Sequence, residues 1–174
     1  MAEQQQTLTV QQTLDLAAQH HNAGRLSEAE HIYQQMLQRE PNQPNATHML
    51  GVLAYQVEKH ELAVELITRA LAIQPNLAEA HCNLGAALQH LGRMTEACAS
   101  YHRAIDLKPS YAQAHYNLGN LLQEFGKPND AITSFREAVA IKRDYADAYN
   151  NLGVTLKELG RLEQAEASLR QAIA

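Results

Sequence analysis

Nine histidines and two cysteines are the residues of this 174-residue sequence that could bind a metal ion or supply a nucleophile. A structural zinc site needs such ligands in closely spaced pairs, as in C-x2-C or H-x3-H, and the sequence has neither pattern. His81 and His115 are instead 34 residues apart, and Cys82 is too far from Cys98 for a C-x2-C pair. No phosphate-binding glycine loop, G-x-S-x-G turn or G-x-G-x-x-G motif is present either. We therefore predict no metal, no cofactor and no catalytic residue, so the chain is not expected to be an enzyme.

Amide side chains recur in a more informative pattern. Asn83, Asn117 and Asn151 follow one another at intervals of 34 residues, and we call these three residues the asparagine ladder. An amide offers both a donor and an acceptor, which matches the backbone of an extended peptide. Asparagine can also be a merely soluble choice on an exposed helix, but it is a mediocre helix former, which favours binding. The further candidate contacts for a peptide are Asn120, Asn150, Tyr116, Tyr55, Gln89 and Gln123.

The elements that must position these side chains repeat with the same period. Five units without insertions begin at Val10, Pro44, Ala78, Ala112 and Ala146. In all five units, position 7 is Leu, position 20 is Ala, and position 24 is large and apolar. A fixed period of this length is typical of a repeat protein. We predict an N-terminal extension and five units, with the boundaries 1–9, 10–43, 44–77, 78–111, 112–145 and 146–174.

The glycines divide each unit into two helices. All eight fall at position 8 or position 15 of a unit. A glycine within a helical pattern, as at position 8, predicts a neighbouring helix too close for a side chain. The glycine at position 15 predicts a left-handed cap at the end of the first helix. Pro128 suits the first turn of the helix that follows such a cap. Each unit is therefore expected to be helix, tight turn, helix, and the fold class all-α.

The combination of Leu-Gly at positions 7 and 8, Ala at 20, an aromatic residue at 24 and Pro at 32 resembles the tetratricopeptide repeat. The resemblance covers 10–174 and implies a right-handed superhelical α-solenoid of stacked helix–turn–helix pairs. It also implies that positions 2, 5, 6, 9, 12 and 13 of the first helices line a concave groove for an extended peptide. On a helical wheel, positions 4, 7, 8, 11 and 14 then face the neighbouring helices.

The sequence around Asn83 and Asn151 is similar to that of O-linked N-acetylglucosamine transferase-like proteins, whose repeats also read Asn-Leu-Gly. The leading hypothesis is a scaffold that binds a peptide or a partner protein. The alternative is the substrate-recognition region of a larger glycosyltransferase or sulfotransferase-type enzyme, with its catalytic domain after residue 174. A clamp of lysines for a C-terminal carboxylate is not expected, because neutral residues occupy its positions, among them Cys82, Tyr116 and Asn150.

Charge and hydropathy narrow the set of partners. The net charge of −5 and the predominantly acidic charges along the groove argue against a nucleic acid. No apolar stretch approaches the ~20 residues that a membrane helix needs, and the N-terminus does not resemble a secretory signal. Two unpaired cysteines then favour a cytoplasmic location. The fifth unit stops within its second helix, so we expect weak end-to-end self-association through this uncapped repeat.

Overall fold

The computed structural model describes residues 8–173, and residues 1–7 of the predicted N-terminal extension lie outside this range. Within it the chain forms ten helices and no strand, which confirms the all-α prediction. The helices are α1 (Val10–Asn22), α2 (Leu26–Arg39), α3 (Pro44–Gln56), α4 (His60–Ile73), α5 (Ala78–His90), α6 (Met94–Leu107), α7 (Ala112–Glu124), α8 (Pro128–Ile141), α9 (Ala146–Glu158) and α10 (Leu162–Ala172).

The first helices begin where the repeat pattern places them. The α1 helix starts with a capping box, in which Thr9 and Gln12 each accept a hydrogen bond from the other's backbone nitrogen. Proline stands in the first turn of α3 and α8, at Pro44 and Pro128, where its missing N–H has no helical partner in any case. The predicted role of Pro128 is confirmed.

The turn between the two helices of a repeat is a left-handed cap, as predicted. The residue at position 15 has a positive φ in every repeat, at Gly24, Gly92, Gly126, Gly160 and, without a glycine, Glu58. The nitrogen of the next residue bonds the carbonyl five residues earlier, for example Arg93 to Leu88 at 2.9 Å. This bond belongs to the Schellman motif, which satisfies carbonyl groups at the end of the first helix.

The glycines at position 8 mark the closest approach of two helices. A β-carbon on Gly85 would lie 2.6 Å from the ring of Tyr101, and one on Gly119 would lie 2.5 Å from the ring of Phe135. Both rings are the large apolar residue at position 24 of the same repeat, and both are almost fully buried. The predicted close packing of a neighbouring element at position 8 is confirmed.

The chain divides into two compact units, Met1–Asn76 and Leu77–Ala174, which we call unit 1 and unit 2. These are groups of helices, and the five shorter units of the sequence pattern are called repeats from here on. In unit 1, each of the helices α1 to α4 packs on the next, around a core that contains Tyr33, Met36 and Leu53. In unit 2, the helices α5 to α10 also pack in chain order, and α7 contacts both α5 and α9. The first helices of unit 2 therefore lie side by side, which brings their equivalent residues together.

The packing face of the first helix differs from the predicted one. Position 14 was expected to face a neighbour, but Val57 and Phe125 at this position are 48% and 43% exposed. They are the C-cap residues of α3 and α7, where the chain leaves the helix. Positions 3 and 10 are buried instead, as Ala80 and Leu121 show. The prediction for position 14 is therefore wrong.

Candidate functional site

The candidate site is the row of side chains at positions 2, 5, 6, 9, 12 and 13 of α5, α7 and α9, which we call the amide stripe. It contains eight of the predicted contacts, namely Asn83, Gln89, Tyr116, Asn117, Asn120, Gln123, Asn150 and Asn151. The ninth, Tyr55, lies on α3 of unit 1, where its ring packs at a tilt against that of His60 with a centroid distance of 5.3 Å. Tyr55 is therefore not part of the amide stripe.

Two members of the asparagine ladder join consecutive repeats. The side-chain nitrogen of Asn151 donates to Asn120 Oδ1 at 2.8 Å and lies 3.3 Å from the hydroxyl oxygen of Tyr116. One repeat earlier, Asn117 donates to the sulfur of Cys82 at 3.5 Å. Asn117 and Asn151 are both half-buried, so these bonds are partly shielded from water. The ladder therefore contributes contacts between repeats, a role that the sequence pattern had not indicated.

Gln89 is also engaged at both ends of its amide. It accepts a hydrogen bond of 3.0 Å from the hydroxyl of Tyr101 and donates one of 2.7 Å to the carboxylate of Glu124. The first bond stays within one repeat and the second reaches the next. Gln89 therefore positions the stripe and has fewer remaining groups for a ligand than an amide that is engaged at one end only.

Other stripe residues keep groups that can meet a ligand. Asn120 uses only its oxygen and Asn150 only its nitrogen in the hydrogen bonds among described residues. Gln123 is half-buried and makes no side-chain hydrogen bond within residues 8–173. Tyr116 accepts a hydrogen bond from Asn151, and its own hydroxyl proton has no acceptor in the same range. These four residues present both donors and acceptors on the adjacent helices α7 and α9.

Two tyrosines that the sequence pattern did not single out support the stripe from the loops directly before α7 and α9. Tyr145, only 8% exposed, donates a hydrogen bond of 2.7 Å to Gln113 and packs against Tyr116 with a ring-centroid distance of 5.0 Å. Tyr111 occupies the same position one repeat earlier, and its hydroxyl interacts with the thiol of Cys82. Burial raises the pKa of both phenols, that of Tyr145 to about 12, so both are neutral donors at physiological pH. Their recurrence at the last position of two successive repeats was the signal for finding them.

The same packing limits what Tyr116 and Cys82 can do. The ring of Tyr116 lies 6.0 Å from that of Phe135 and belongs to the apolar core, so its hydroxyl is the group with hydrogen-bonding capacity toward the stripe. Cys82 was placed on the exposed inner face by its position, but it is 1% exposed. Burial raises the pKa of its thiol to about 11, which leaves it protonated and unreactive at neutral pH. The expectation that position 5 lines the groove is therefore wrong for the third repeat.

Among residues 8–173, no three His, Cys, Asp or Glu side chains are grouped so that they could hold a metal ion. None of the helices in this range is both long and apolar enough to cross a membrane.

Family models identify the repeat. Three models, each described as a tetratricopeptide repeat, match residues 20–88, 76–144 and 116–174, and together they span 20–174. The chain belongs to the tetratricopeptide-repeat family. The resemblance that the Leu-Gly, Ala and aromatic positions indicated is therefore confirmed.

Solved structures of other tetratricopeptide-repeat proteins share this fold. The chain aligns with MamA at a TM-score of 0.80 and 23% identity, covering 96% of this chain and 94% of MamA. It aligns with PilF of Pseudomonas aeruginosa at a TM-score of 0.87 and 21% identity, over 92% of this chain and 73% of PilF. YrrB, described as having an unusual peptide-binding site, aligns at 0.71 and 23% identity, over 92% and 83% of the two chains. No curated protein matches the sequence.

Proposed function

We propose that this tetratricopeptide-repeat chain is a non-enzymatic interaction scaffold and that the amide stripe of unit 2 binds an extended peptide of a partner protein. The observation that carries the proposal is the set of uncommitted donors and acceptors on Tyr116, Asn120, Gln123 and Asn150. An extended peptide has no internal partners for its N–H and C=O groups, and amides can bond both without reading side chains.

Rigid support for these groups strengthens the proposal. Asn151 holds Asn120 from the next repeat, and Tyr145 packs on Tyr116 from the loop between α8 and α9. Side chains that are already positioned lose less conformational entropy on binding, which favours affinity. In this proposal the ladder residues Asn117 and Asn151 position the contacts, and the four residues with uncommitted groups touch the peptide.

Other predictions about partners stay predictions. The absence of nucleic-acid binding, the cytoplasmic location and the self-association of the fifth repeat are not tested by the fold. The comparisons do not favour the recognition region of a glycosyltransferase or sulfotransferase-type enzyme, and we do not propose it.

The test is a binding titration with defined peptides. A fluorescein-labelled library of unstructured peptides about 12 residues long would be selected on the wild-type chain, and the best binder titrated by fluorescence anisotropy. Tyr116→Phe, Asn120→Ala and Gln123→Ala should each lower the affinity for this peptide by roughly 2- to 12-fold, since one hydrogen bond contributes about 0.5–1.5 kcal/mol.

Gln171→Ala serves as the matched control, because Gln171 is an exposed amide on α10 outside the stripe. It should leave the affinity unchanged. Equal affinities for the wild type and all three stripe variants would exclude the stripe as the peptide site.

A further inference from the structure

Unit 1 contains an open cavity of about 320 Å³ between α2, α3 and α4. Its wall is mainly aliphatic, with Leu50, Leu53 and Ala54 from α3 and Leu62 and Leu66 from α4. The cavity lies on other helices than the amide stripe, and none of the residues proposed above lines it. It is therefore a separate feature of the molecule.

The equivalent place in unit 2 is filled by the protein's own side chains. Ile132, at position 21 of one repeat, packs with Leu156, at position 11 of the next, and the two are 2% and 1% exposed. The same two positions in unit 1 hold Glu30 and Ala54, and both line the cavity. Two branched aliphatic side chains are thus replaced by a carboxylate and a methyl group. The cavity is therefore lined by the two positions whose aliphatic side chains are missing in unit 1.

The mouth of the cavity is apolar where the other repeats are polar. Leu62 lines it and is 41% exposed, and Val57 beside it is 48% exposed. Leu62 is at position 19, which in the other repeats carries Glu28, Glu96, Asp130 and Gln164. An exposed leucine at a position otherwise reserved for polar residues, directly over an apolar cavity, marks a contact surface.

The turn between α3 and α4 and the first half of α4, beside the cavity, carry more negative than positive charge. Glu30 lines the cavity, and Glu58, Glu61 and Glu65 are exposed on the adjoining turn and on α4. Lys59 is the single cation among the residues that line the cavity in the described range. A partner that bears positive charge next to its apolar groups would complement this surface.

We propose that this cavity binds a basic amphipathic helix of a partner protein, whose leucine or isoleucine side chains fill the space that Ile132 and Leu156 fill in unit 2. A cavity of about 150 Å³ holds one benzene, so a cavity about twice as large accommodates two aliphatic side chains. Two such side chains reach one groove when they are three or four positions apart on a helix. Lysines or arginines that flank them meet Glu30 and the exposed glutamates at the mouth.

The probe is a fluorescein-labelled peptide of about 16 residues with leucine at every third or fourth position and lysine at the positions that flank the leucines on the helix surface. Two companion peptides have the same leucines with glutamate in place of lysine, and the same composition with the leucines scrambled. Anisotropy titrations on the full chain should show the lysine peptide binding at least about tenfold more tightly than either companion. Its affinity should fall as salt is raised, because exposed charges are screened.

Two substitutions test the cavity by different routes. Ala54→Leu installs the leucine found at the same position as Leu88, Leu122 and Leu156. It should raise the melting temperature and lower the affinity for the lysine peptide at least about tenfold. Leu62→Gln places at the mouth the side chain that Gln164 provides in the fifth repeat, and it should weaken the peptide without a loss of stability.

Ala99→Leu is the matched control, since it adds a leucine to an exposed position of α6 in unit 2. It should leave the peptide affinity unchanged. Unaltered binding to both Ala54→Leu and Leu62→Gln, or equal binding of the scrambled peptide, would overturn the proposal. Tighter binding of the glutamate peptide would overturn its charge assignment. Asn120→Ala should not change the affinity for the lysine peptide, which separates the cavity from the amide stripe.

Discussion

Asn151 on α9 donates a hydrogen bond of 2.8 Å to the side-chain oxygen of Asn120 on α7. The bond connects position 6 of one repeat to position 9 of the preceding repeat. It is half-buried and orients the Asn120 amide so that its nitrogen is left for another acceptor. One asparagine thus stabilises the stacking of two repeats and at the same time presents a neighbour for binding.

Asn151→Ala should lower the free energy of unfolding by about 1 kcal/mol, because it removes a half-buried inter-repeat hydrogen bond. Urea denaturation followed by circular dichroism measures this change. Asn150→Ala is the neighbouring control, since Asn150 is exposed and its bond of 3.4 Å is long. If both variants unfold at the wild-type urea concentration, the bond between Asn151 and Asn120 does not stabilise the stack.

Gly119→Ala should destabilise the chain by about 1–3 kcal/mol, although alanine is the better helix former. The added β-carbon would lie 2.5 Å from the Phe135 ring, which must move in a packed core. In a Phe135→Val background, the same substitution should cost less, because the ring is gone. Urea midpoints of the four chains give this coupling energy, and a value of zero would contradict the proposed contact.

Glu58→Gly should stabilise the chain by about 0.5–1 kcal/mol. Glu58 has φ of 60°, where a side chain costs roughly 1–2 kcal/mol, and the greater freedom of glycine in the unfolded chain offsets only part of this gain. The melting temperature should rise for Glu58→Gly and stay level for Glu58→Ala, which keeps the β-carbon. A lower melting temperature for Glu58→Gly would show that Glu58 makes a contact whose stabilising energy exceeds the gain from relieving the backbone.

Stability should decline as the pH rises from about 9 toward 11. The pKa of the Cys82 thiol is raised from its ordinary value near 9.0 to about 11, so the folded chain holds this proton more tightly than the unfolded chain. The resulting stabilisation is complete below pH 9 and is lost as the pH passes the folded value. Urea midpoints measured across this range should fall less steeply for Cys82→Ala. Parallel profiles for the two chains would contradict the buried thiol.

The repeat pattern was sufficient to predict the helices, the caps and the close contacts at position 8. These features depend on local chemistry, because a glycine at a helix end permits a positive φ, and a missing side chain admits a neighbouring ring. The repeat pattern predicted a close neighbour at position 8, and the structure identifies that neighbour as the large side chain at position 24.

The sequence also predicted which face of α5, α7 and α9 carries the amides, but only the tertiary structure decided what each amide does. Asn117, Asn120 and Asn151 are the same residue type on the same face, yet two of them bond across repeats and the third receives such a bond. Their roles depend on which side chain the next repeat places within about 3 Å, as hydrogen bonding requires.

The cavity in unit 1 is likewise indicated in part by the sequence and in part only by the tertiary structure. Ala54 and Leu62 differ in type from the residues at the same positions of the third, fourth and fifth repeats, so the sequence shows that the second repeat is unlike these three. Only the structure decided that Glu30, Ala54 and Leu62 surround one space, because they come from three helices. Whether a smaller side chain leaves a cavity depends on how far the surrounding helices close upon it, and that is a property of the packed chain.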